Sequence, residues 1–181
     1  MEGILREGRG LWPIAFPYPK NKSKIDKTGL ICYNQPMRFM SIDYGLKRIG
    51  YSISDRTAVI AGESKTIPSG SGAVSVIYRL CRDEEVTNVV IGLAFNSRGE
   101  EGEMCREARK FGAALDSLIK DGSVRIEYFD ETLTTAASHK VLIEANMSRK
   151  KRKDIVDGLA AKILLQKYLD DFNMKAGRII G

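Results

Sequence analysis

The stretch from Met37 to Asp55, MRFMSIDYGLKRIGYSISD, constrains the fold most, because it drives an acid out of an apolar strand into a glycine turn. Phe39, Met40 and Ile42 make a short apolar run. Asp43 closes it just before Tyr44 and Gly45, where the chain can turn freely. Ile49, Tyr51 and Ile53 then alternate with Gly50, Ser52 and Ser54, the period of a strand paired back on the first. Asp43 is thereby predicted at the end of a central strand. A carboxylate there is costly unless a proton, a cation or a donor compensates it. That marks Asp43 as a candidate functional group, against the alternative of a structural turn aspartate.

The remaining periodicities extend this hairpin into an α/β domain. Ser54-Asp55-Arg56-Thr57 reads as a turn and Ala58 to Ile67 as a third strand, giving an antiparallel meander that Pro68-Ser69-Gly70-Ser71-Gly72 breaks. Val74, Ile77, Tyr78 and Cys81 recur at helical spacing. Val86 to Gly92 is a nearly continuous apolar run, as in a strand covered on both faces. A polar loop from Leu93 to Gly102 leads to a helix over Glu103 to Leu118, and Val124 to Phe129 is a fifth strand ending on Asp130-Glu131. Two helices follow, one capped by Thr134 or Thr135 and running to Asn146, the other from near Ser148 to about Phe172. Residues 1–36 stand apart as an N-terminal extension to a domain over 37–181. They hold four of the five prolines, the single tryptophan and no helical or strand period.

Charge and cysteine usage narrow the function. With 29 basic against 23 acidic residues the chain carries +6, which favours an anionic partner. Six cations against three acids put half of that excess in residues 1–36. Cys32, Cys81 and Cys105 are widely spaced, and with the single His139 they make no usual zinc site; free thiols in a reducing, cytoplasmic compartment are expected. His139, mid-helix, reads as a packing or surface residue. No run approaches the roughly 18 apolar residues of a membrane span.

On the last helix, Arg149-Lys150-Lys151-Arg152-Lys153 oppose the helix dipole, so a reason other than helix stability is expected for them. Asp157 then heads a stripe of Ala160, Ala161, Leu164 and Tyr168. Three acidic positions thus stand at separate element ends: Asp43, Asp130-Glu131 and Asp157. Acids that converge without His or Cys machinery are most economically ligands of hard cations, Mg²⁺ or Mn²⁺. Two such ions about 3.5 to 4 Å apart serve phosphodiester cleavage, and the basic run would hold the backbone phosphates. Lys47, Arg48 and Arg98 are further candidate phosphate contacts, or solvated turn residues. Tyr44 either stacks on a base or packs, and Ser54-Asp55 reads as a turn cap.

DYGLKRIGYSISD, VVIGLAFNSRGEEG and DETLTTAASHKVLIEANMSRKKRKDIVDGLAAKILLQKYL, in that order over residues 37–171, resemble the YqgF/RuvX family. These are Holliday junction resolvase-like proteins associated with processing the precursor of small-subunit ribosomal RNA. The resemblance implies an RNase H-like fold, a five-stranded mixed sheet with three antiparallel and two parallel strands flanked by helices. It also implies Asp43, Glu131 and Asp157 as catalytic residues, these three and Asp130 as metal ligands, and precursor rRNA or branched DNA as substrate. Two positions depart from the family, Thr132 where arginine is usual and Ala94 where proline is usual. The first removes a candidate phosphate contact; the second bears on loop stiffness more than on chemistry. Ile91-Gly92-Leu93 offers no acid at the end of the fourth strand, so the second ligand falls to Glu131. A binding factor with a weakened site and an actin-like phosphotransferase are the alternatives, although the latter normally needs two such domains.

Overall fold

The computed structural model describes residues 24–25, 31–32, 37–96, 98–130 and 149–176, with side chains for 37–96, 98–130 and 159–176. The chain forms two compact units, Met1–Asn34 and Gln35–Gly181. In the first, β1 (Lys24–Ile25) pairs antiparallel with β2 (Ile31–Cys32). Each strand is two residues long, too short for a period-two pattern to register in the sequence.

The second unit runs β3 (Phe39–Tyr44), β4 (Arg48–Ile53), β5 (Lys65–Pro68), α1 (Ala73–Asp83), β6 (Asn88–Leu93), α2 (Glu103–Leu118), β7 (Arg125–Asp130) and α3 (Arg149–Lys175). Its strands form one sheet in the order β5-β4-β3-β6-β7, antiparallel from β5 to β3 and parallel from β3 to β7. This is the five-stranded mixed sheet that the family resemblance implies, with β3 at its centre as the first apolar run predicts. The Arg38 guanidinium secures its base, donating to the carbonyls of Ser54 and Glu84 and pairing with the Glu84 carboxylate at 3.0 Å.

Each face of the sheet has its own cover. Met40, Ile42, Ile49, Val89, Ile91 and Leu93 pack with Ile77 and Cys81 of α1 and with Cys105, Ala108, Phe111 and Leu115 of α2. On the opposite face α3 lies over β3 and β4, burying Ala161, Leu164, Leu165, Tyr168, Leu169 and Phe172. Phe39 meets the rings of Tyr168 and Phe172 there, at 5.5 and 5.1 Å between centroids. Burying each large apolar side chain contributes about 1.5 to 3 kcal/mol, so α3 is an integral layer of the domain. Every residue of β6 is buried, as its continuous apolar run requires.

The third strand departs from expectation. Only Lys65–Pro68 is strand; the segment from Ala58 to Ser64 is a loop, held to the sheet by the Ser54–Ala61 bridge and by Gly62, whose N–H donates to Ile53 C=O and whose C=O accepts from the Ser52 hydroxyl. Asp55 is the cause. Its carboxylate accepts from the backbone N–H of Thr57, Val59 and Ile60 and from the Thr57 hydroxyl, holding the chain in a turn that leaves Ala58 in the left-handed region at φ 58°. Gln166 and Asn173 of α3 seal the loop: Gln166 bonds Ala61 N–H and Val59 C=O, and Asn173 donates to Ala58 C=O. Pro68, expected to break the strand, instead ends it at the sheet edge, where a missing N–H is tolerated. The helix expected up to Asn146 lies outside the described residues.

Candidate functional site

Asp43 is the fifth residue of β3, half-buried near the carboxyl end of the central strand. In the sheet it pairs with Gly50 of β4, and on the other side it stands next to Gly92, which follows the Ile42–Ile91 pair. Both lateral neighbours lack a side chain. Within the sheet, neither lateral neighbour sets a side chain beside the carboxylate. Carboxyl ends of parallel strands are where open α/β sheets bind ligands.

Strand alternation fixes the face. Ser41, two residues before Asp43, donates its hydroxyl to the Ala161 carbonyl of α3 at 2.6 Å, so Asp43 shares the α3 side of the sheet. Asp130, exposed at the end of β7, is in register with Leu93, which belongs to the α1–α2 core. Asp130 is thus on the opposite face from Asp43, and its charge is one contribution to the raised pKa of the α2 thiol Cys105, for which burial is the main cause. Asp157 is a backbone position of α3 one turn before Ala161; its side chain, and the whole of Glu131, lie outside the described residues. Among the described residues no three His, Cys, Asp or Glu side chains gather as a metal site.

The candidate phosphate contacts divide likewise. Lys47 and Arg48 are exposed in the β3–β4 turn, which Gly45 N–H closes by donating to Arg48 C=O at 3.1 Å. A Cβ at Gly45 would come within 2.7 Å of that carbonyl oxygen, so the turn requires glycine. Ser69 N–H donates to Lys47 C=O and ties the turn to the end of β5. Arg98 is exposed in a loop stapled by Asn96, whose side-chain oxygen accepts from the N–H of Arg98 and Glu100, both at 2.9 Å. Arg149, Lys150, Lys151 and Arg152 form the first turn of α3, and their side chains are outside the described residues.

Other side chains have structural work. Tyr44 packs on Phe111 at 5.5 Å between ring centroids, which settles it as a packing residue. Cys81 and Cys105 are free and buried, and burial pushes the Cys81 thiol up to about 12. Sequence reasoning missed two ties between sheet and α3, Ser41 to Ala161 and the Tyr168 hydroxyl to the Glu127 carboxylate at 2.5 Å. Burial, with the Glu127 charge and hydrogen bond in support, raises the Tyr168 pKa. The one signal for the first tie was the polar residue itself, a serine inside the apolar run Phe39-Met40-Ser41-Ile42.

Residues 37–171 match the family model described as RuvX, Holliday junction resolvase. The chain belongs to the RuvX family. Similar RuvX relatives include a protein of Syntrophomonas wolfei named "Putative pre-16S rRNA nuclease", 36% identical over 137 residues that cover 74% of this chain and 94% of the relative. One of the same name from Halothermothrix orenii is 37% identical over 143 residues, 78% of this chain and all of the relative. The fowlpox virus Holliday junction resolvase superposes with a TM-score of 0.50 at 16% identity, over 75% of this chain and 99% of that one, in keeping with an RNase H-like fold. Membership in RuvX places the chain among nucleases. As in the sequence, the end of β6 carries no acid. No described helix is long and apolar enough to cross a membrane.

Proposed function

We propose that this chain is a metal-dependent endonuclease that hydrolyses phosphodiester bonds in structured RNA, the precursor of 16S rRNA, through Asp43, Glu131 and Asp157. The observation that carries the reading is Asp43, half-buried at the carboxyl end of the central strand between two glycines, on the face that α3 covers. Hard carboxylate oxygens suit Mg²⁺ or Mn²⁺, and a pair of such ions, when bound, supplies an activated water and neutralises charge on the leaving oxygen. Asp43 and Asp157 come from β3 and α3, and Glu131 comes from the residue after β7. Asp130 stands on the other face and has no ligand role in this proposal. Hydrolysis adds water across the P–O bond, leaving a phosphate on one fragment and a protonated oxygen on the other.

The cations take the binding role. Lys47 and Arg48 border Asp43 on the same hairpin, while Arg98, Arg149, Lys150, Lys151 and Arg152 extend the contact with backbone phosphates. The names of the relatives favour precursor rRNA, and the family description makes branched DNA the second reading.

The test is cleavage of a precursor 16S rRNA fragment and of a four-way DNA junction, each with Mg²⁺, with Mn²⁺ and with chelator. RNA cleavage that requires the metal and disappears in Asp43→Asn is expected. Binding without metal-dependent cleavage of either substrate would identify the chain as a non-catalytic binding factor.

A further inference from the structure

Ser41 is fully buried in β3, and its hydroxyl does not serve its own strand. It donates instead across the layer to the main-chain carbonyl of Ala161, at 2.6 Å and 120 residues away in sequence. A helix carbonyl has two lone pairs, so it accepts this bond in addition to its own helical one. Ala161 is fully buried as well. Small side chains at both contact points let α3 come close enough to the strand for a serine to reach its backbone.

The location gives this bond its meaning. Ser41 is two residues before Asp43 on the same strand face, and Ala161 is four residues, about 6 Å of helix rise, after Asp157. We infer that Ser41 is a positioning residue that fixes the helix turn carrying Asp157 against the strand carrying Asp43, and thereby sets the spacing of the two acids for divalent cations. The inference rests on the metal-dependent reading above. A metal pair needs its ligands within a few tenths of an ångström, and an apolar contact alone lets a helix slide by more than that.

The neighbouring serine provides the control. Ser52, paired with Ser41 across β3 and β4, is equally buried and also donates to a main-chain carbonyl, that of Gly62 at 2.9 Å. The two hydroxyls share chemistry and burial, but Ser52 ties the sheet to a loop, and Ser41 ties it to α3.

The experiment is calorimetric titration of Mn²⁺ into the full-length wild type, Ser41→Ala and Ser52→Ala, with urea unfolding of each. Both variants are expected to lose similar stability. Ser41→Ala alone should weaken Mn²⁺ binding, by roughly three- to ten-fold, the ratio that one hydrogen bond typically commands. Should Ser41→Ala not fold, Ser41→Cys retains a weak donor of similar size, and an intermediate loss of affinity is expected. Unchanged Mn²⁺ affinity in the folded Ser41 variant, or an equal loss in Ser52→Ala, overturns the inference. A wild type that binds no Mn²⁺ ends the metal reading itself, and the inference with it.

Discussion

Asp55 and Asp43 both stand at strand ends of one hairpin, yet their surroundings give them opposite work. Asp55 turns its oxygens onto the Thr57 hydroxyl and the N–H groups of Ile60, Val59 and Thr57; burial pushes its pKa up, but those bonds together outweigh it and hold the carboxyl below its ordinary 3.8. A carboxylate with a lowered folded-state pKa adds stability above its unfolded value and loses it as the pH falls through the folded one. The stability difference between wild type and Asp55→Ala should therefore be full near neutrality and shrink below about pH 4, as urea unfolding across that range will measure. A difference independent of pH would mean that the carboxylate does not cap the turn. Gly45→Ala should destabilise by about 1 to 3 kcal/mol, because the added methyl overlaps the Arg48 carbonyl and the turn must shift; thermal unfolding reads this. The cap at Asp55 and the glycine turn were legible in the sequence, since each acts on residues a few positions away. The Ser41 bond was not, because its acceptor is 120 residues distant and comes within reach only when α3 packs on β3.

Elements with strong periodicity emerge at the bounds the sequence predicts, α2 at Glu103–Leu118 above all. The third strand does not, because apolar Ala58, Val59, Ile60 and Ala61 fit a strand pattern while the Asp55 turn and the amides of Gln166 and Asn173 claim their backbone bonds. Local turn chemistry overrode hydrophobic pattern there. The long α3 has two different ends. From Ala161 on it buries leucine and aromatic side chains against the sheet, so Leu165→Ala should cost about 2 to 5 kcal/mol in unfolding experiments. Its first turns carry five consecutive cations that a core helix does not need. Neutralising Lys150 and Arg152 should weaken nucleic-acid binding uniformly across sequences and flatten its salt dependence by about 0.7 to 0.9 log–log units for each phosphate that the variant no longer neutralises. A salt titration with an unaltered slope would show that these cations only solvate the helix.

At the scale of the whole molecule, two covered faces and one central strand explain why a single acid can be held half-buried at a sheet end. The antiparallel pairing of the first strands and the crossover to β6 were readable from runs and turns, whereas the five-stranded mixed sheet flanked by helices came from the family resemblance. The convergence of Asp43, Glu131 and Asp157 was readable only as an expectation, since nothing in their spacing along the chain brings them together and the proposed site depends on topology. Residues 1–36 are proposed to be dispensable for the domain that follows. A chain starting at Met37 should unfold at nearly the same temperature, and a large loss would show that Trp12, Phe16 and Tyr18 pack on it. The most direct measurement is a crystal structure soaked in Mn²⁺. Asp43, Glu131 and Asp157 are expected to share one or two ions, with any pair about 3.5 to 4 Å apart. An Asp157 carboxylate turned to solvent more than about 10 Å from Asp43, beyond the reach of bridged metals, would contradict the nuclease site.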